Sequence, residues 1–334
     1  MMSSQRSGRA PEVAIEYPPV FVWPPRPAAF ARWFAGYPGY LLPFHALYAV
    51  LAIVVWQFAT PSVETMSTWG AGWVAFVLLR NAVLLVVWCS LFHVWLYVRR
   101  GQGTRSKFNA KWPGRGDRFT FGSQLRENVF WSLASGLPIA TAWEVVTLWL
   151  FASGRIPWIH FADHPVWFVV LMLLVPVYLD LHFYAVHRFI HWPPLYKAVH
   201  SLHHRNTNPG PWSGLSMHPV EHLMYFSSIA LFWVMPANPI VALFSSFHRM
   251  LAPAPGHVGF EEIDVGGSTV ATNSRAHYLH HKFFEVNYAD GVLPLDKWFG
   301  SFHDGTTAGD ARMKQRRLSR TGRSPAAAVA GSTE

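Results

Sequence analysis

Apolar residues in this chain fall in long blocks, and a helix needs about 20 of them in succession to cross a bilayer. Residues 33–63 contain no Asp, Glu, Lys or Arg, which predicts a first span at roughly 40–59. A second is predicted at about 74–98, interrupted by Arg80 but uncharged from Asn81 to Val98. A third fits at about 130–153 with Glu144 inside it. A fourth begins near Pro165 and carries Asp180, His182 and His187 in its last turns. A further apolar stretch, Leu223 to Phe247, is split by MPANP (Met235 to Pro239). Proline interrupts a helix and each half is too short to span, so a re-entrant or interfacial hairpin is expected. The fold class predicted is all-α integral membrane: four transmembrane helices, that hairpin, and a cytoplasmic helical cap bearing clustered histidines.

Charge adds an orientation. Residues 99–126 hold eight Lys or Arg, whereas 60–68 holds none and 154–164 only Arg155. Positive residues collect on the cytoplasmic side, so both termini, the 99–126 loop and the end of the fourth span are expected there, in a bacterial inner membrane. The basic tail (Arg312, Lys314, Arg316, Arg317, Arg320, Arg323) falls on the same side. The net charge of +9 is thus accounted for by the membrane, and no nucleic-acid partner is expected. Arg80 and Glu144, being charges inside spans, should face the bundle interior and can pair with each other. Tryptophans at 23, 33, 69, 73, 158 and 167 flank apolar runs and read as interfacial anchors. Cys89 is the sole cysteine, which excludes an intramolecular disulfide and a cysteine-ligated cluster. No cleavable signal peptide is expected, because the first apolar run begins too late. The expected segments are a Pro-rich cytoplasmic, irregular arm (1–39), membrane helices with a basic loop (40–164), a catalytic domain (165–305) and a basic, disordered tail (306–334).

Thirteen of the 18 histidines lie between His182 and His281. His187 and His191 form HxxxH; His200, His203 and His204 form HxxHH; His277, His280 and His281 form a second HxxHH. Two such HxxHH boxes beside an HxxxH arise by chance on the order of once in thousands of sequences of this composition. Residues three and four apart share a helical face, so each box is expected to point all its rings one way. Neutral imidazole is the commonest metal-ligating side chain. Eight rings are too many for one tetrahedral zinc and suit two ions with open positions, of iron, copper, zinc or nickel. Isolated histidines such as His45, His93 and His303 read as packed or interfacial residues. His182, His218, His222 and His248 are left open.

The segments DLHFYAVHRFIH, HSLHH, HPVEH, GHVGF and HYLHHKFFEVNYADGVLPLDKWFG follow one another over residues 165–303. In this they resemble the sterol desaturase and fatty acid hydroxylase superfamily. The resemblance implies an integral membrane, non-haem di-iron oxygenase, with two iron ions held by His187, His191, His200, His203, His204, His277, His280 and His281. His257 matches a histidine often present before the third box, and His182 with His187 also gives the HxxxxH spacing of some members. Asp180, two turns before His187, and Glu221 are candidates to hold the outer N–H of a ligand ring. Implied partners are a membrane lipid, dioxygen and, since no nucleotide or haem motif is present, a separate ferredoxin- or cytochrome-like electron donor. No acid–base residue beyond the metal centre is expected. Hydroxylation is the first reading, near the lipid head group because His187 ends a span. Desaturation of a sterol or lipid is the alternative. A metal-transporting membrane protein is the rival of another class, but it should carry its ligands near mid-membrane.

Overall fold

The computed structural model describes residues 14–320. Its principal helices are α1 (Pro27–Ala35), α2 (Phe44–Phe58), α3 (Ala71–Val98), α4 (Gln124–Ala152), α5 (Pro165–Ile190), α6 (Pro219–Phe226), α7 (Pro239–Leu251), α8 (Arg275–Phe283) and α9 (Thr307–Arg320). One antiparallel hairpin, β1 (Glu262–Val265) with β2 (Ser268–Ala271), interrupts the helical order. The all-α expectation is corrected to that extent: the hairpin turns through Gly266 and Gly267, both at positive φ, which glycine adopts without steric cost.

Three helices, α3, α4 and α5, are long and apolar enough to cross a membrane. On α3, Leu79, Val83, Val87 and Leu91 are all exposed and recur every fourth residue, forming one apolar stripe. Such a stripe needs an apolar solvent. The first expected span is shorter than foreseen. α2 has 15 residues, about 22 Å at 1.5 Å each, against a hydrocarbon core of about 30 Å. Pro43 caps its start and Pro61 follows its end, and the residue before a proline leaves the helical region.

The charges inside spans meet. Arg80 of α3 pairs with Glu144 of α4, and both are buried. Asn81 accepts from Arg80 Nε at 3.2 Å and donates to Glu144 Oε2 at 2.9 Å, while Arg80 Nη1 donates to the Ala59 carbonyl at 3.1 Å. The apolar stretch 223–247 folds in two pieces, as the MPANP break suggested. A tight helix, Ser227–Trp233, ends before Pro236, and Asn238 then caps α7 by accepting the Ile240 N–H at 3.0 Å. α7 lies at the centre, against α2, α4 and α5.

Both ends of the described chain are more ordered than expected. The arm contains α1, and Ile15 N–H donates to the Asp304 carbonyl at 2.8 Å while Tyr17 packs on Phe302. The expected disordered tail begins as α9, tied down by Lys282 to Asp310 (3.1 Å) and Arg312 to Asp304 (2.6 Å). Residues 321–334 of that expectation lie outside the described residues.

Candidate metal centre

α5 carries His187 in its last turn, and His191 caps that helix. Trp192 and Pro193 then bend the chain, a wide turn Tyr196–His200 follows, and a tight turn places His203 and His204. α8 brings His277, His280 and His281. It ends at Phe284, whose φ of 65° reverses the chain. The Val286 carbonyl is thereby returned to His280 Nδ1, 2.7 Å away.

Nine histidines meet as two groups. His187, His191, His200, His204 and His280 form one; His203, His257, His277 and His281 form the other. Within each group, one nitrogen per ring lies within 4.8 Å of all the others. Each HxxHH box is therefore divided, contrary to the expectation that its rings point one way. His200 and His204 go to the first group and His203 to the second; His277 and His281 go to the second and His280 to the first. On α8 the reason is helical geometry: at about 100° per residue, 281 lies about 40° to one side of 277 and 280 about 60° to the other, so 280 and 281 diverge by about 100°.

The outer nitrogens fix the tautomers. His187 Nδ1 meets the Tyr288 carbonyl at 2.7 Å, His203 Nδ1 that of Ser216 at 3.3 Å, and His257 Nδ1 that of Pro253 at 2.9 Å. His280 Nδ1 meets Val286, and His200 Nδ1 meets Glu221 Oε1 at 2.8 Å. Carbonyl oxygen only accepts, so each Nδ1 facing one carries the proton and each Nε2 a bare lone pair. Burial, reinforced by the neighbouring rings, pushes His200, His203, His204, His277, His280 and His281 well below the ordinary histidine value, and burial brings His257 to about 4. These rings are neutral.

Neutral rings with inward lone pairs do not satisfy each other. His257 Nε2 and His203 Nε2 are 3.3 Å apart, both bare, and His187, His200 and His281 have Nε2 atoms with no partner. In the first group the Nε2 atoms of His191, His204 and His280 lie 3.1–3.2 Å from one another. Two nitrogens bound at right angles to one ion at about 2.1 Å are about 3.0 Å apart. Each group thus fits a nitrogen-ligated metal ion.

The remaining histidines stay outside both groups. His182 meets Ser227 at 3.1 Å, His222 bridges Ser135 and the Leu215 carbonyl, His218 caps α6, and His45 packs beside His248. His303 accepts the Gly305 N–H and stacks on Phe283. Glu221 stands where a ring-orienting carboxylate was expected. Asp180 does not: its Oδ2 accepts the Leu293 N–H at 2.6 Å, and His187 takes a backbone carbonyl in its place. Sequence reading missed those carbonyls, because a main-chain acceptor leaves no residue signature.

Both groups border one chamber of about 840 Å³, within the range of lipid-sized ligand sites. His187, His200, His203 and His257 line one part of it, and Phe183, Tyr225 and Arg249 another. The N-terminal arm supplies a wall through Tyr17, Trp33 and Tyr40. Asp290 also faces it, its carboxyl raised to about 8 by burial, with Asp180 adding and Arg249 opposing.

Residues 169–301 match the family model described as fatty acid hydroxylase. A Delta(7)-sterol 5(6)-desaturase of Aspergillus fumigatus is 29% identical over 162 residues, 40% of this chain and 49% of the fungal one. One from Gibberella zeae is 30% identical over 137 residues (40% and 42%), and that of Saccharomyces cerevisiae 26% over 128 (37% and 33%). The chain thus spans less than half the length of these relatives. No solved structure is significantly similar. The matched segment holds every residue of both histidine groups, and over that segment the chain matches the fatty acid hydroxylase family and is similar to sterol desaturases.

Proposed function

We propose that the protein is an integral membrane oxidoreductase that oxidises a C–H bond of a membrane lipid, using dioxygen and electrons from a separate donor. The observation that carries this reading is two adjoining groups of buried, neutral imidazoles opening on a lipid-sized chamber. About two iron ions would be held, one by His187, His191, His200, His204 and His280, the other by His203, His257, His277 and His281. When bound they supply dioxygen reduction and hydrogen removal, chemistry that no side chain here provides.

The chain's own part is orientation and exclusion. The carbonyls of Tyr288, Val286, Pro253 and Ser216, with Glu221, hold the outer N–H groups and keep the inner lone pairs on target. Burial of the histidines keeps bulk water from their inner nitrogens. Two whole-protein features belong to this proposal: α2 with the split 223–247 segment completing the membrane part, and a cytoplasmic site. Cysteines placed in 60–68 and 154–164 should react with an impermeant reagent from outside, and those in 99–126 only after the membrane is opened. Outside labelling at 105–118 would sink the cytoplasmic assignment.

Hydroxylation near the head group is the first outcome. The likeness to Delta(7)-sterol 5(6)-desaturases favours a second, desaturation of a sterol-like lipid. Purified protein given iron, an electron donor, lipid and heavy-isotope dioxygen distinguishes them. One labelled oxygen gained in the lipid means hydroxylation; two hydrogens lost without label means desaturation. No oxygen-dependent change in any membrane lipid rejects both.

A further inference from the structure

Two side chains in the chamber wall have no part in the metal centre and are left half-satisfied. Arg249 on α7 is 6% exposed. One end of its guanidinium donates to the Leu179 carbonyl, but Nε has no partner. Asp180, the next residue after Leu179, is 5% exposed. Its Oδ2 is taken by Leu293 N–H, and Oδ1 has no partner. Gly291 leaves room for that oxygen, since a Cβ there would stand 2.8 Å from it. Both side chains line the same chamber as the histidines. Buried charge with an unused hydrogen-bonding atom is costly unless something completes it.

We propose that Arg249 and Asp180 form a hydroxyl-binding site, and that the lipid taken is an alcohol held by that neutral group beside the metal centre. This rests on the reading of the chamber as the substrate site. The chemistry selects the group. Arg249 Nε offers a donor and Asp180 Oδ1 an acceptor. A hydroxyl accepts from the first and donates to the second. An anionic head group satisfies only Arg249 and leaves Asp180 facing a second acceptor. A cationic one has the opposite defect. An ether or ketone oxygen leaves Asp180 unmet.

The site also sets where oxidation falls. The guanidinium lies 5.7 Å from the centroid of the Phe183 ring, and that ring lies 4.8 Å from the His187 ring. One aromatic ring therefore separates the hydroxyl anchor from the first metal group. Oxidation then falls toward the hydroxyl end of the lipid.

The test reads binding without electrons or dioxygen. Full-length, metal-loaded protein in phosphatidylcholine nanodiscs is titrated with radiolabelled cholesterol, its 3-methyl ether and cholesteryl sulfate. Hexadecan-1-ol and its methyl ether are the second scaffold, and empty discs are subtracted. In at least one scaffold the alcohol should bind about tenfold or more tighter than its ether, since charged partners make the stronger hydrogen bonds. The sulfate should bind more weakly than cholesterol. Asp180→Asn places an amide donor where the free acceptor stood, so the ether should rise to match the alcohol. Arg249→Met removes the donor from which both oxygens accept, so it should weaken alcohol and ether alike, about tenfold, and leave the alcohol ahead of the ether. The alcohol-to-ether ratio within each variant is insensitive to loss of folded protein. Equal binding of alcohol and ether in both scaffolds, no binding at all, or preference for the sulfate overturns the proposal. Selective alcohol binding by a protein that never oxidises the lipid would sink the proposed function and leave this site standing.

Discussion

The Arg80–Glu144 cluster and the histidine groups both bury polar side chains in an apolar chain, and they differ in what is left over. Around Arg80, the guanidinium, Asn81 and Glu144 use up one another's donors and acceptors, with Thr141 and the Ala59 carbonyl taking the rest. Among the histidines, His187, His200, His203, His257 and His280 have their outer nitrogens held and turn the inner ones toward the group, where His187 and His200 find no partner and His203 and His257 meet as bare lone pairs. The first arrangement is complete without a ligand; the second is not. Saturation marks a polar cluster that ties helices together, and a shared deficit marks one that binds.

The largest effects should come from breaking the deficit itself. His187→Ala, His204→Ala or His280→Ala should abolish activity and lose metal, read by elemental analysis and turnover. The division of the boxes sharpens this. His203→Ala and His281→Ala strike the same group, so the double variant should retain about one ion, as each single does. His203→Ala with His204→Ala strikes both groups and should retain almost none. Equal losses from the two doubles would refute the division.

Breaking the saturated cluster should instead cost stability. Glu144→Ala leaves Arg80 buried and unpaired, a loss of about 3–5 kcal/mol, read as thermal unfolding in detergent. Metal per folded chain should be unchanged. Replacing both, as Arg80→Met with Glu144→Leu, should recover much of that loss. Glu221→Ala frees the outer N–H of His200 and should weaken metal binding about 10–100-fold, measured by chelator competition.

A smaller effect is expected from acid. His257 is lowered to about 4 in the fold against 6.5 unfolded, so the unfolded chain takes up the proton first as pH falls. Its contribution to stability is full above 6.5 and shrinks between 6.5 and 4. Melting temperature followed from pH 7 to 5 should fall, and metal should be released in the same window. Smallest of all, His303→Ala removes a packed ring that accepts one N–H. It should leave metal content and turnover as they were.

Much of this was legible in the chain. Long uncharged runs gave α3, α4 and α5, because a bilayer demands about 20 apolar residues whatever the neighbours. Arg80 and Glu144 announced an interior pair because charge inside a span must be met. α2 came out shorter than the span expected at 40–59, because prolines at 43 and 61 bound the helix to 15 residues. Asp180 was placed on the right face for the wrong partner: its contact is the loop at Leu293, more than a hundred positions away.

The sequence by itself determined the long apolar helices and the three histidine boxes, with His257 beside them, because residue type, spacing and hydropathy are local properties. Only the tertiary structure decided which rings fall in one group, which carbonyls fix their tautomers, and that Arg249 and Asp180 face the same chamber as the histidines. Those are relations between elements far apart in the chain. They are set by how α5, α7, α8 and the N-terminal arm pack together, and no spacing within one element encodes them.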